Sequence, residues 1–325
     1  MTSVSTTAFW ISAKQQGELR QEALPEPSDD EVQVRTLFSG ISRGTESLVF
    51  AGHVPVSEHE RMRAPFQQGT FNFPVKYGYI NVGLVEKGPS HLMGRNVFSL
   101  FPHQSVFNIH QDSVTPLPAN VPASRAVLAA NMETAINALW DAQPGIGDRI
   151  TVIGAGVLGS LVAYLASGIT GCTVQLVDIN PDRASLADAL GLNFCSPDEA
   201  DDEQDLIIHT SATEQGLNRA LELAGFEATV LELSWFGSKP ATLSLGGAFH
   251  SKRLIIKSSQ VGHVATTQRA RWNYARRLNL ALAQLGDARL DALINEESHF
   301  SKLPETMALI SRPGSSTLCH RITYE

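Results

Sequence analysis

The chain is 325 residues long, with a formal net charge of −8, 43% hydrophobic and 18% charged residues. This length is more than one compact core usually holds, so two domains are expected, and the composition is that of an ordinary globular protein. The acidic balance excludes a nucleic-acid binder, which needs a basic face to neutralise phosphates, and no run of about 18 apolar residues marks a membrane span.

In chain order, residues 1–10 lack both the basic and the apolar segments of a secretory signal, so none is expected. The first part of the chain consists of short β-like runs broken by Gly and Pro. Glu31 to Phe38 begins with strand alternation, and Asn81 to Glu86 and Arg95 to Leu100 are further strands. No long helical period occurs before about residue 123. Ala123 to Asp141 then has helical spacing and is ended by Pro144, Gly145 and Gly147.

Alternating units follow: strand Arg149 to Ile153, helix Val157 to Ser167, strand Thr173 to Val177 and helix Pro181 to Leu190. Next come strand Asp205 to His209, helix Glu214 to Ala224, strands Ala228 to Leu233 and Arg253 to Lys257, and a long helix Gln268 to Leu285. Strands and helices joined by short links predict a parallel sheet covered on both faces. Arg269, Arg271, Arg276 and Arg277 are spaced as a solvated helix face. The tail returns to short elements, with a strand at Leu318 to Thr323, and is assigned to the first domain. The expected division is therefore a discontinuous β-rich domain, 1–122 with 290–325, around a doubly wound α/β domain of Rossmann type, 123–289.

Cys172, Cys195 and Cys319 are widely separated and odd in number, so no disulfide framework or CxxC metal spacing is read from them. A reducing, cytoplasmic compartment is the expectation.

The strongest motif is RITVIGAGVLG, Arg149 to Gly159, in which a strand runs into Gly154-x-Gly156-x-x-Gly159 and opens a helix. Gly154 allows the tight turn, Gly156 lets the backbone approach a pyrophosphate, and Gly159 lets helix pack on strand. The backbone N–H groups of the helix start, at Val157 and Leu158, favour phosphates. Asp178 ends the next strand about 20 residues on, placed to accept from the adenosine ribose hydroxyls. Its charge repels a 2′-phosphate, which favours NAD over NADP, while Arg183 close behind softens that preference. Later strand ends, with Thr210, Ser211, Ser234, Trp235 and Ser259, are expected to line the cofactor crevice; ordinary loop polarity is the competing reading for each.

The segments SGISRGTE (Ser39 to Glu46), YGYINVGLVEKG (Tyr77 to Gly88), GRNVFSLFPHQ (Gly94 to Gln104), METAINAL (Met132 to Leu139) and GDRITVIGAGVLG (Gly147 to Gly159) together resemble the medium-chain dehydrogenase/reductase superfamily over nearly the full chain. Within it, the pattern is most similar to the branch that includes the bacteriochlorophyllide hydroxyethyl dehydrogenases; the substrate is not carried over. The resemblance implies a GroES-like catalytic domain, a Rossmann domain, an NAD(H)-dependent oxidoreductase and a homodimer formed through strand edges near Arg253 to Gly262. It also implies that Arg43 reaches the cofactor pyrophosphate; a surface arginine is the competing reading.

Zinc-dependent members have Cys and a His-Glu pair where this chain has Ser42, Tyr79 and Ile80, and Glu133 stands at the third ligand position. Hydroxyl and phenol are poor zinc ligands, so no metal is expected. Unrelated ligands such as His103 and His110 could form a site, but isolated histidines are more often surface or packed residues. Hydride transfer without zinc needs hydrogen-bond donors for the developing oxyanion. Tyr79, Ser42 and Thr45 carry hydroxyls for this, with Tyr79 the favoured donor, and Glu46 and Glu133 are proton carriers. The competing readings are a packed aromatic for Tyr79, a turn or cap for Thr45 and Glu46, and a first-turn helix acid for Glu133.

The stretch between Glu46 and Gly78, with His53, Arg61, Arg63, Phe66, Gln67, Phe71 and Phe73, is read either as a substrate lid, its arginines meeting an anionic group, or as a surface excursion packed by its own aromatics. The expected substrate is a small alcohol, carbonyl or activated alkene. A non-enzymatic NAD(H)-binding protein stands as the alternative, and a methyltransferase as a third reading that Gly159 and the leading β-rich half oppose.

Overall fold

The computed structural model describes residues 4–312 and 314–324; the first three residues of the 1–10 leader reading lie outside them. The elements in chain order are β1 (Val4–Ala13), β2 (Gln16–Leu24), β3 (Glu31–Ile41), α1 (Arg43–Phe50), β4 (Gln68–Gly69), β5 (Val75–Lys76), β6 (Asn81–Lys87), β7 (Asn96–Ser99), β8 (Val106–His110) and β9 (Thr115–Pro116). They continue with α2 (Ala129–Ala142), β10 (Arg149–Ile153), α3 (Val157–Ser167), β11 (Thr173–Val177), α4 (Arg183–Leu190), β12 (Asn193–Cys195), β13 (Gln204–His209), α5 (Glu214–Leu223), β14 (Ala224–Glu232) and β15 (Ile255–Ser258). The last are α6 (Tyr274–Gln284), β16 (Ile294–His299), α7 (Leu303–Ile310) and β17 (Cys319–Thr323).

The contacts divide the chain into two compact units, one running through Ala130 and resuming at Leu282, the other Asn131–Ala281. The first unit keeps residues just past Pro122 because Arg125 ties them to the returning chain. Its guanidinium meets both Asp291 carboxylate oxygens at 2.7 Å and donates to the carbonyls of Leu285 and Gly286.

The first unit contains two sheets, in the orders β2-β1-β5-β4 and β16-β17-β3-β6-β7-β9, with β8 also on β3. The pairing is antiparallel except between β16 and β17. Alternating apolar residues bury one face of β3 with its neighbours: Val32, Val34, Val85, Val97, Phe107 and Ile109 form one core cluster with Phe101. The stacked rings of Phe101 and Phe107 lie 3.8 Å apart at its centre.

The second unit is a six-stranded parallel sheet in the order β12-β11-β10-β13-β14-β15. In β10 only Arg149, the first residue, is exposed. Such continuous burial is what a strand covered on both faces requires. The order reverses between β10 and β13, and the crevice at the carboxyl ends of the strands opens there.

Several boundaries differ from those read in the sequence. The helix expected over Ala123 to Asp141 starts at Ala129, because the Pro122 carbonyl accepts from Arg125 and Ala126 and a tight turn, Ala126–Leu128, comes first. The helix expected from Gln268 starts at Tyr274, because the Asn273 side chain accepts the Arg276 N–H and caps it there. Helix α1 was not expected at all. It has only eight residues and no side-chain bond from Ser42 at its N-cap; instead the Glu46 carboxylate reaches back to the Ser42 N–H at 2.8 Å.

Candidate active site and dinucleotide cradle

In the second unit, β10 enters the glycine turn in a conformation that few other residues tolerate. Gly154 has φ of +108°, and a β-carbon there would lie 2.7 Å from Thr210 Oγ1. A β-carbon on Gly159 would lie 1.9 Å from the Gly154 carbonyl oxygen, so α3 packs directly on the turn. Gly156 differs: nothing stands within 4 Å of where its β-carbon would be. It sits at the N-cap of α3 with no side-chain cap, so no capping side chain satisfies the first-turn N–H groups at Val157 and Leu158, at the positive end of the helix dipole. These features fit a dinucleotide pyrophosphate.

Two expected cofactor residues also brace the turn. Asp178 accepts from the Ala155 N–H at 2.7 Å and from the Asn180 N–H at 2.8 Å. Thr210 shares its hydroxyl proton between the carbonyls of Ile153, at 3.0 Å, and Gly154, at 2.9 Å. Arg183 opens α4 behind Asp178. Ser211 and Ser234 follow β13 and β14 and are drawn into a hydrogen-bonded group around His209. Trp235 follows half-buried, and Ser259, past β15, donates to Asp141 at 2.6 Å.

In the first unit the structure brings Ser42, Thr45, Glu46 and Tyr79 together. Helix α1 carries Thr45 and Glu46 with Ser42 at its start, and Tyr79 lies just before β6. The Ser42 and Thr45 side chains stand close enough to the Tyr79 phenol to favour its ionised form. Burial, and then the Glu46 carboxylate, push its ionisation up to about 12 against the opposite pull of those two side chains. Tyr77 packs edge-on against it, ring centres 6.1 Å apart, and Phe71 lies 5.8 Å from Tyr77.

Behind these groups lies a chain that the sequence reading missed. Glu46 Oε2 meets His103 Nε2 at 2.9 Å, His103 Nδ1 meets Ser39 Oγ at 2.7 Å, and Ser39 Oγ meets the Tyr324 hydroxyl at 2.9 Å. Glu46 and His103 are 2% and 1% exposed, so both depend on each other for polar contacts. Of the two ordinary readings for His103, surface or packed, the packed one holds. The Pro-His-Gln run held no signal for this, because its partner lies 57 residues earlier.

The remaining expected residues are engaged elsewhere. Glu133 belongs to the second unit, where it is buried and paired with Arg277 at 3.0 Å. Burial raises its pKa and Arg277 opposes the rise. Arg43 donates to the Ser315 carbonyl at 2.9 Å. In the stretch read as a lid, Arg61 pairs with Glu58 and Arg63 donates to the carbonyls of Gln67 and Gly69. Phe71 is buried against His59 and Tyr77, which is the packing of the second reading, while Phe66 keeps 41% of its surface exposed.

The donors around Ser42 do not suit a zinc ion. A hydroxyl and a phenol stand where thiolate and imidazole would be needed, and the Glu46 carboxylate is already shared between His103 and the Ser42 N–H. The Cys319 thiol in the same unit is pushed up to about 12, chiefly by burial, which disfavours the thiolate a metal requires. Among the described residues, no three or more His, Cys, Asp or Glu side chains are grouped to hold a metal.

No family model matches the chain. It is similar to an uncharacterized zinc-type alcohol dehydrogenase-like protein of Haemophilus influenzae, 28% identical over 134 residues (38% of this chain and 39% of that one). It is also similar to the L-threonine 3-dehydrogenase of Ruegeria pomeroyi, 25% identical over 136 residues (41% and 40%). The matched region thus spans about two-fifths of the length of these relatives. Among solved structures, L-idonate 5-dehydrogenase from Escherichia coli superposes with a TM-score of 0.80 over 99% of both chains at 14% identity. The E. coli alcohol dehydrogenase rspB, complexed with NADH, superposes at 0.77 over 98% of this chain and 99% of that one at 17% identity. At these identities the structural likeness concerns the fold.

Proposed function

We propose, for a chain that is a member of the medium-chain dehydrogenase/reductase superfamily, that it is an NAD(H)-dependent oxidoreductase working without zinc on a small alcohol, carbonyl or activated alkene. The observation that carries this reading is the gathering of the Ser42, Thr45 and Tyr79 side chains beside Glu46; by resemblance, Ser42 and Tyr79 stand at positions where zinc-dependent members have ligands.

When bound, the nicotinamide supplies or accepts the hydride. The second unit holds the cofactor: the open face at Gly156 and the start of α3 take the pyrophosphate, and Asp178 takes the adenosine ribose and disfavours a 2′-phosphate. Because Asp178 keeps one carboxylate oxygen on Ala155 and the other on Asn180, the ribose contacts use the remaining lone pairs, and the acid is held rigidly.

The first unit handles the proton. Reducing a carbonyl puts charge on oxygen, and a phenol that ionises near 12 is still a stronger acid than an alcohol, so Tyr79 donates to the developing alkoxide. Ser42 and Thr45 orient the phenol. Glu46 raises the energy of a tyrosinate beside it, so that Tyr79 readily takes a proton back from solvent water once the alcohol has formed. Glu133, committed to Arg277, is assigned to packing.

A homodimer and a cytoplasmic setting belong to the same proposal. β15 is an edge strand with Ile255 54% exposed, a surface suited to pairing with a second copy, and the three cysteines are unpaired. No helix among the described residues is long and apolar enough to cross a membrane.

The test is a fluorescence titration of EDTA-treated protein with NADH and NADPH, followed by a carbonyl and alcohol screen on the metal-free protein. Preferential NADH binding with turnover is expected. Turnover restored only by added zinc overturns the metal-free reading, and NADH binding without turnover on any donor–acceptor pair leaves a cofactor-binding protein.

A further inference from the structure

We infer that His209 is a positioning residue for the nicotinamide half of the cofactor, a role that rests on the NAD(H) reading above. The second unit has the strand order in which two mononucleotide-binding halves flank β10. Asp178, at the end of β11, belongs to the adenosine half, so the loops after β13 and β14 receive the nicotinamide half.

These two loops are joined by one hydrogen-bonded group centred on His209, which is fully buried at the end of β13. His209 Nδ1 lies 2.6 Å from Glu232 Oε2 on β14, and His209 Nε2 lies 2.7 Å from Ser211 Oγ. Glu232 Oε1 accepts the Ser234 N–H at 2.6 Å, and Ser234 Oγ accepts the Ala212 N–H at 3.0 Å, closing the link from loop to loop.

One assignment of protons satisfies every member. The carboxylate of Glu232 can only accept, so Nδ1 of His209 carries its proton toward it. Nε2 then accepts from the Ser211 hydroxyl, and Ser211 accepts from Thr213 at 2.8 Å. Thr213 in turn accepts the Gly216 N–H at 3.0 Å, at the first turn of α5. In this assignment the chain runs from the α5 start through His209 to β14. A β-carbon on Gly216 would lie 2.4 Å from Ser211 Oγ and 2.8 Å from His209 Nε2, so the helix packs directly on this group. None of these bonds involves the glycine turn or Asp178. The side-chain group therefore acts first on the nicotinamide half, while the intervening Thr210 separately braces the glycine turn.

The test compares NADH with ADP-ribose, which has the adenosine and pyrophosphate but no nicotinamide, in wild type, His209→Gln and Ser234→Ala. His209→Gln keeps a donor and an acceptor but places them on one carbon at the end of a flexible chain, so the two bonds to Glu232 and Ser211 are not both held in the imidazole geometry; it is expected to weaken NADH binding by about tenfold, the scale of one lost charge-assisted hydrogen bond, while ADP-ribose binding stays within about twofold. Ser234→Ala, which removes only the acceptor for Ala212, shows the same selective loss at about threefold and keeps the test open where His209→Gln does not fold. Equal losses for both ligands, or no loss for either, overturn the positioning role. Wild-type protein that binds neither ligand overturns the cofactor reading itself, and this role with it.

Discussion

Glu46 and His103 meet inside the first unit with Oε2 and Nε2 2.9 Å apart, and almost nothing of either side chain reaches solvent. A buried carboxylate is stable only while its hydrogen bonds are complete. His103→Leu therefore removes one of the two groups that complete Glu46, and a destabilisation of about 3 kcal/mol is expected in urea melts. His103→Gln, which keeps a polar group at the site, is expected to recover part of that loss.

Tyr79 is the residue on which the proposed proton transfer depends. Tyr79→Phe leaves ring packing intact and removes one donor, so kcat is expected to fall by about 10²- to 10³-fold with little change in cofactor affinity. An unchanged kcat in steady-state assays would remove Tyr79 from the chemistry.

The same phenol has a signature in alkali. Its pKa is raised in the folded state to about 12, so the folded protein holds a proton that the unfolded chain releases near 10. The stability it contributes is complete below pH 10 and is lost as pH rises from 10 to 12. Ultraviolet titration of the wild type is expected to show Tyr77, Tyr79 and Tyr324 ionising late, and Tyr79→Phe to remove one late phenol.

Arg277 and Glu133 form an ion pair with both side chains 6% exposed or less. Arg277 also donates to Asn137 at 2.6 Å and to the Val261 carbonyl at 2.6 Å. Arg277→Met strands the carboxylate, and a loss of about 3–5 kcal/mol is expected from thermal or urea unfolding. Adding Glu133→Gln is expected to recover part of it; a double variant no more stable than the single would show that the pair itself contributes little.

Asp178 decides between the two nicotinamide cofactors in this reading. Asp178→Asn removes the negative charge, and NADH affinity is expected to fall by about tenfold while NADPH affinity rises, as read by fluorescence titration. The variant also weakens the bracing of Ala155, so a small drop in melting temperature accompanies the change in preference.

The sequence by itself determined the parallel sheet, the glycine turn and Asp178. These are local patterns, in which a buried run of apolar residues, glycines at fixed spacing and an acid at a strand end show their roles within about 30 residues. By resemblance to zinc-dependent dehydrogenases it also placed hydroxyls, at Ser42 and Tyr79, where those proteins have ligands, because residue type is legible without the fold. Helix α1 stayed hidden because eight residues carry too little period to read and its capping group, Glu46, reaches backward. Only the tertiary structure decided the partners of the buried polar groups. His103 with Glu46, Arg277 with Glu133 and His209 with Glu232 join residues 57, 144 and 23 positions apart. A buried polar side chain is satisfied by whatever the fold brings within hydrogen-bond reach, and nothing in the neighbouring sequence encodes which residue that is.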